Sequence, residues 1–85
     1  DWIQIMIRKK LMTKFLSTEV AGTVWKIVCE EGQHFLPQDD LIILESMKME
    51  IPLKLDSKGT IVKILVNEGD LIKEDQNLLE YVDSE

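Results

Sequence analysis

Lys48 stands at the centre of LESMKMEI (Leu44–Ile51), between Met47 and Met49 and with Glu45, Ser46 and Glu50 around it. A lysine amine is a nucleophile toward an activated acyl group when a partner enzyme presents one. A solvated turn lysine needs no such setting, because turn tips favour Asn, Gly or Asp, and methionine there adds no turn preference while leaving apolar surface in water. Methionine is also a soft, adaptable contact surface. The combination reads as a lysine that another protein recognises and modifies. No other group of residues competes with it. His34 is the only histidine, which excludes a histidine-based metal cluster, and the acidic pairs Glu30–Glu31 and Asp39–Asp40 read as turn and surface charge rather than as a metal site or an acid/base dyad. Cys29 lies at the end of an apolar run with no cation near it in sequence, so it reads as a small core residue. The chain has no glycine-rich phosphate loop, no Ser/His/Asp set and no Cys-x-x-Cys spacing. It is expected to bind no metal and to catalyse nothing by itself.

From Val20 onward the chain is a series of short β-branched runs separated by turn clusters, with no sustained helical period. TVWKIVC (Thr23–Cys29) alternates, which places Thr23, Trp25, Ile27 and Cys29 on one face and Val24, Lys26 and Val28 on the other. EEGQ (Glu30–Gln33) turns the chain. LIILES (Leu41–Ser46) and MEIPLKL (Met49–Leu55) form two strands on either side of the lysine, and Pro52 makes the second an edge strand or a bulged one. DSKG (Asp56–Gly59), TIVKILV (Thr60–Val66), NEGD (Asn67–Asp70) and NLLEYV (Asn77–Val82) complete the series of turns and strands.

These elements repeat. Gly22–Leu41 aligns without a gap on Gly59–Leu78, an offset of 37 residues, with Gly, Thr, Lys, Ile, Glu, Gly and Leu coinciding at 22/59, 23/60, 26/63, 27/64, 31/68, 32/69 and 41/78. Neither copy alone can bury an apolar face, so two copies are expected to pack on each other. The predicted fold is all-β: a flattened β-barrel or sandwich of two pseudo-twofold-related four-stranded halves. Lys48 falls in the connection between the halves, where the shortest path is a tight hairpin with Met47 and Lys48 at its tip.

The 85 residues suffice for one small domain, and the 45% hydrophobic and 31% charged fractions are those of an ordinary soluble globular chain. Sixteen acidic against ten basic residues give a net charge of −6, which repels nucleic-acid phosphate and anionic lipid, so the expected partners are proteins. No apolar run reaches the ~20 residues that span a bilayer, and no secretory signal is evident. With one cysteine there is no internal disulfide, and the cytoplasm is the expected compartment. Residues 1–16 fit neither copy of the repeat and form an N-terminal extension whose pattern suits an amphipathic helix or a strand, with Arg8, Lys9 and Lys10 clustered in it; residues 17–85 form the folded domain.

ESMKME, set between two glycine-marked repeats, resembles the attachment motif of biotinyl domains, and the resemblance to the biotin/lipoyl attachment family runs from about Ser17 to Val82. Ser46 stands where alanine is commoner, and Cys29–Leu41 is too short for the protruding thumb of some bacterial carriers. The resemblance implies a barrel-sandwich hybrid fold, covalent biotin on Lys48, ligase contacts at Met47 and Met49, and Glu45, Ser46 and Glu50 as flanking surface. It implies a non-catalytic carboxyl carrier of a biotin-dependent carboxylase such as an acyl-CoA carboxylase. Its partners would then be biotin protein ligase, biotin carboxylase and carboxyltransferase. The biotin arm would reach on the order of 14 Å, at roughly 1.4 Å per bond, and tethering would raise its effective concentration at each site. A lipoyl carrier shares the fold, but its sites usually resemble Asp-Lys-Ala; an unmodified barrel-sandwich interaction module is the third reading.

Overall fold

A computed structural model of the chain describes Ile3, Gln4 and residues 13–83. Among the described residues eight strands follow one another: β1 (Thr13–Ser17), β2 (Gly22–Ile27), β3 (His34–Phe35), β4 (Ile42–Ser46), β5 (Met49–Leu53), β6 (Gly59–Ile64), β7 (Leu71–Ile72) and β8 (Asn77–Asp83). They form two antiparallel four-stranded sheets, ordered β1-β8-β6-β3 and β5-β4-β2-β7. A shift of 37 residues takes β5, β4, β2 and β7 onto the positions of β1, β8, β6 and β3, so the sheets are two copies of one design. The repeat therefore extends beyond Gly22–Leu41 to include β1 and β5. The first strand opens at Thr13, so the boundary expected between residues 16 and 17 falls inside β1. Of the preceding extension only Ile3 and Gln4, both helical and exposed, are described; the remainder of the expected helix or strand lies outside the described residues.

The copies interlock through equivalent hydrogen bonds. The Ile27 N–H donates to the Glu68 carboxylate (3.0 Å) and, 37 residues on, the Ile64 N–H donates to Glu31 (2.9 Å). Val24 N–H donates to the Asp70 carbonyl (2.9 Å) and Ile61 N–H to the Gln33 carbonyl (2.8 Å). The glutamates shared by both repeats thus serve as acceptors for backbone donors of the opposite copy, which leaves fewer backbone groups unpaired at the crossing. Gly32 and Gly69 turn the chain at matching positions, with φ of +84° and +92°.

Between the sheets Val24, Phe35, Leu41, Ile42, Leu44, Ile61, Leu78 and Leu79 are almost wholly buried, each such aliphatic or aromatic side chain contributing about 1.5–3 kcal/mol. Phe35 meets Tyr81 edge to face at 5.7 Å. Cys29 is buried, as its match to Val66 implies, and burial pushes its thiol above the ordinary value, which makes it less reactive.

The alternation expected along Thr23–Cys29 is broken by one inserted residue, so that Thr23 and Trp25 lie on the face opposite to Ile27 and Cys29, not with them, and Val24 lies inward. The register of β2 against β4 slips between Val24 and Lys26, so Trp25 is an extra residue on a bulge: Val24 points into the core and Trp25 out, with the Lys26 ammonium 5.5 Å from its ring centroid. After the bulge Ile27 and Cys29 turn inward, as expected. The register of β6 against β8 slips at the equivalent place, between Ile61 and Lys63, which puts Val62 on the surface. A period of two along the sequence cannot reveal the inserted residue, because the bulge inverts the phase while each half of the strand still alternates.

Candidate functional site

The lysine hairpin is formed by β4 and β5, paired from Ile42 opposite Leu53 to Ser46 opposite Met49, so that Met47 and Lys48 alone make the connection. Both have positive φ, 52° and 64°. Positive φ at both central residues is the signature of a type I′ turn, whose twist matches that of the strands it joins but which normally selects Asn-Gly. For residues with a Cβ the left-handed conformation costs about 1–2 kcal/mol each. The tip therefore holds a local conformation its residues do not prefer, maintained by the five cross-strand pairs behind it.

All six residues singled out in the sequence come together here. Met47 is 93% and Met49 66% exposed, so neither serves the core. Lys48 is exposed and, among the described residues, has no hydrogen-bond or ion-pair partner. Glu45 and Glu50 face each other across β4 and β5, both exposed. Ser46 is half-buried beside β2: a Cβ built on Gly22 would lie 3.3 Å from the Ser46 Cβ and 2.5 Å from the Glu45 carbonyl oxygen. The hairpin therefore rests directly on the Gly22 backbone, and this explains the small residues at both 22 and 46. Pro52 lies on β5, an edge strand, as expected.

Two residues that the sequence did not associate with the lysine share a row of the sheet with Glu45 and Glu50 of its hairpin. Thr23 on β2 pairs with Glu45 on one side and with Leu71 of β7 on the other, which sets Leu71, Thr23, Glu45 and Glu50 in one row across the sheet. Leu71 is 82% exposed. Both lie in repeat residues distant from Lys48 along the chain, and only the strand order brings them to the hairpin.

The arrangement offers an unpaired primary amine at the extremity of a rigid hairpin, framed by apolar side chains. It is suited to acylation by another enzyme. Residues 10–80 match the family described as "Biotin-requiring enzyme". The chain belongs to the biotin/lipoyl attachment family. It is 38% identical to the biotin/lipoyl attachment protein of Bacillus subtilis (strain 168) over 69 residues, 81% of this chain and 94% of that one. It is 37% identical to the biotinylated protein TB7.3 homolog of Mycobacterium leprae (strain TN) over 62 residues, 73% of this chain and 87% of the other. Among solved structures it superposes with a TM-score of 0.82 and 27% identity on a single-chain, multi-domain long-chain acyl-CoA carboxylase, covering 87% of this chain but only 7% of the carboxylase. The fold and the biotinyl character expected from the sequence are those of this family, whose members are carriers, and biotin is the cofactor its description implies. The residues at the tip fit such a group, since an exposed amine without a competing partner is what an amide linkage requires.

Proposed function

We propose that Lys48 carries biotin, joined through its Nζ to the biotin carboxyl carbon as an amide, and that the domain delivers this arm to the components of a biotin-dependent carboxylase. The observation that carries the reading is the type I′ hairpin that projects Lys48, unpaired and framed by Met47 and Met49, beyond the end of the sheet. A biotin protein ligase would activate the biotin carboxylate with ATP as an acyl-adenylate, releasing pyrophosphate, and the deprotonated Lys48 amine would attack the acyl carbon and displace AMP, so that the nitrogen ends as an uncharged amide. The bound group supplies a site that takes up and releases a carboxyl. Met47 and Met49 present adaptable apolar contact to the ligase, while Glu45, Ser46 and Glu50 flank the reacting amine. The protein's own contribution is position: the strands hold the arm at one end so that it can be docked transiently against a biotin carboxylase and then a carboxyltransferase. The single buried thiol suits a reducing compartment, and we place the domain in the cytoplasm.

Intact-mass spectrometry of the chain and of Lys48→Arg tests the reading, after separate incubations with ATP, biotin and biotin ligase, or with ATP, lipoate and lipoyl ligase. A biotin-sized gain on the parent that is absent from Lys48→Arg is expected. A lipoyl-sized gain alone would move the protein to acyl or redox transfer, and no gain in either incubation would leave Lys48 a solvated turn residue.

A further inference from the structure

The internal duplication supplies a control for each surface position near the lysine. Leu71, Thr23, Glu45 and Glu50 form a row across β7, β2, β4 and β5. The equivalent row at the other end of the molecule, across β3, β6, β8 and β1, is His34, Thr60, Val82 and Thr13. There the His34 Nδ1 lies 2.8 Å from the Thr60 hydroxyl, so the outer position is occupied by a polar, hydrogen-bonded side chain. The backbone accepts that solution equally well. At the lysine end it has instead a leucine left 82% exposed, and two carboxylates directly opposite each other, a cross-strand pairing that is destabilising. Neither choice serves folding.

Resting on the carrier reading, we infer that this row is a docking surface for the ligase that acylates Lys48, on which Leu71 is the apolar anchor and Glu45 and Glu50 face a basic rim. The occupant follows from reach and charge. Leu71 is two strand spacings from Glu45, about 10 Å, and Glu45 is three residues from Lys48. A standard protein–protein contact covers roughly 800 Å² on each side, enough to take in both the tip and the row for an enzyme working at the lysine nitrogen. An enzyme acting on the far end of the ~14 Å arm is under no such constraint. Two carboxylates without an ion-pair partner among the described residues, on a chain of net charge −6, select a positively charged partner surface.

The test is the concentration dependence of biotin incorporation by a purified biotin ligase, followed by intact mass, for the parent, Leu71→Ser, the Glu45→Gln/Glu50→Gln double variant, and Leu36→Ser as a control. Leu36 is 63% exposed and follows β3, at the end away from the hairpin. Leu71→Ser is expected to lower kcat/KM about tenfold through KM, the scale of an interface anchor, with Leu36→Ser unchanged. The double glutamine variant is expected to lose several-fold at low salt and to converge on the parent near 0.5 M salt, where charges a few ångströms apart are screened. Unchanged kinetics for Leu71→Ser, or an equal loss in Leu36→Ser, would overturn the docking surface while leaving the carrier reading intact. A parent that takes up no biotin would overturn both. Circular dichroism checks that Leu71→Ser is folded; if it is not, the salt-dependent loss in the double glutamine variant decides.

Discussion

Met47 illustrates how folding and presentation can oppose each other in a single side chain. It sits in a left-handed conformation that asparagine tolerates far better, at the first central position of a turn type that prefers asparagine there. It is almost fully exposed, so no packing is lost on replacing it. Met47→Asn is therefore expected to stabilise the domain by about 0.5–1 kcal/mol, raising Tm by a few degrees, while slowing biotin incorporation because an apolar ligase contact has gone. Thermal melts and ligase kinetics on the same sample check both halves, and a variant that is neither more stable nor slower would remove the methionine from both roles. The motif around Lys48 was fully legible in the sequence, since residue type and order carry it. The left-handed backbone of Met47 and Lys48 was not, because neither residue type signals positive φ.

At the scale of elements, the hairpin depends on how closely β2 approaches β4. Gly22 lies where any Cβ would be 2.5 Å from a backbone carbonyl oxygen of β4, and backbone cannot yield as a flexible side chain can. Gly22→Ala should force the sheet apart beneath Ser46, costing about 2–3 kcal/mol as an overpacked contact, with a Tm lowered by roughly 10 °C or more in a domain of this size. A melt within a degree or two of the parent would show that β2 and β4 separate freely. The sequence marked Gly22 as one of the repeated residues, but its reason is a neighbouring strand 23 residues further along the chain, Glu45, which no local pattern specifies. The two-residue strands β3 and β7 were missed for a similar reason: they are too short to show any alternation and exist as strands only because β6 and β2 lie beside them.

At the scale of the molecule, the end away from the lysine is closed by charge. The Lys14 ammonium donates to the Asp83 carboxylate, which also accepts from the Ser57 hydroxyl at 2.7 Å, so β1, β8 and the turn after β5 meet at one carboxylate. The hydrogen bond from Lys14, and then that from Ser57, hold Asp83 below the usual carboxylate range; the bond to Asp83, and then its charge, raise Lys14 above the usual amine value. A carboxyl depressed in the folded state adds stability that is present above its unfolded pKa of about 3.9 and is lost as pH falls through the lower folded value; the raised amine adds stability that is lost only as pH rises through its folded value, above about 10.4. The parent should therefore melt higher than Asp83→Asn by a constant margin between roughly pH 5 and 9. That margin should narrow below about pH 4 and shrink in high salt, because the pair is partly exposed. A margin independent of pH would show that the ion pair is not its source.

By itself the sequence determined the all-β class, the duplicated architecture and the family, and it placed Lys48 in the connection between the two copies, because these depend on residue type, order and a repeat period that need no third dimension. The tertiary structure alone decided which end of the sheet each copy occupies and which residues from the second copy stand beside the lysine. The bulges at Trp25 and Val62, the reciprocal glutamate contacts, the close approach at Gly22 and the row from Leu71 to Glu50 all join segments that are far apart along the chain. Each is set by how two sheets pair and twist together, a relation between distant segments that the pattern along any one strand does not contain.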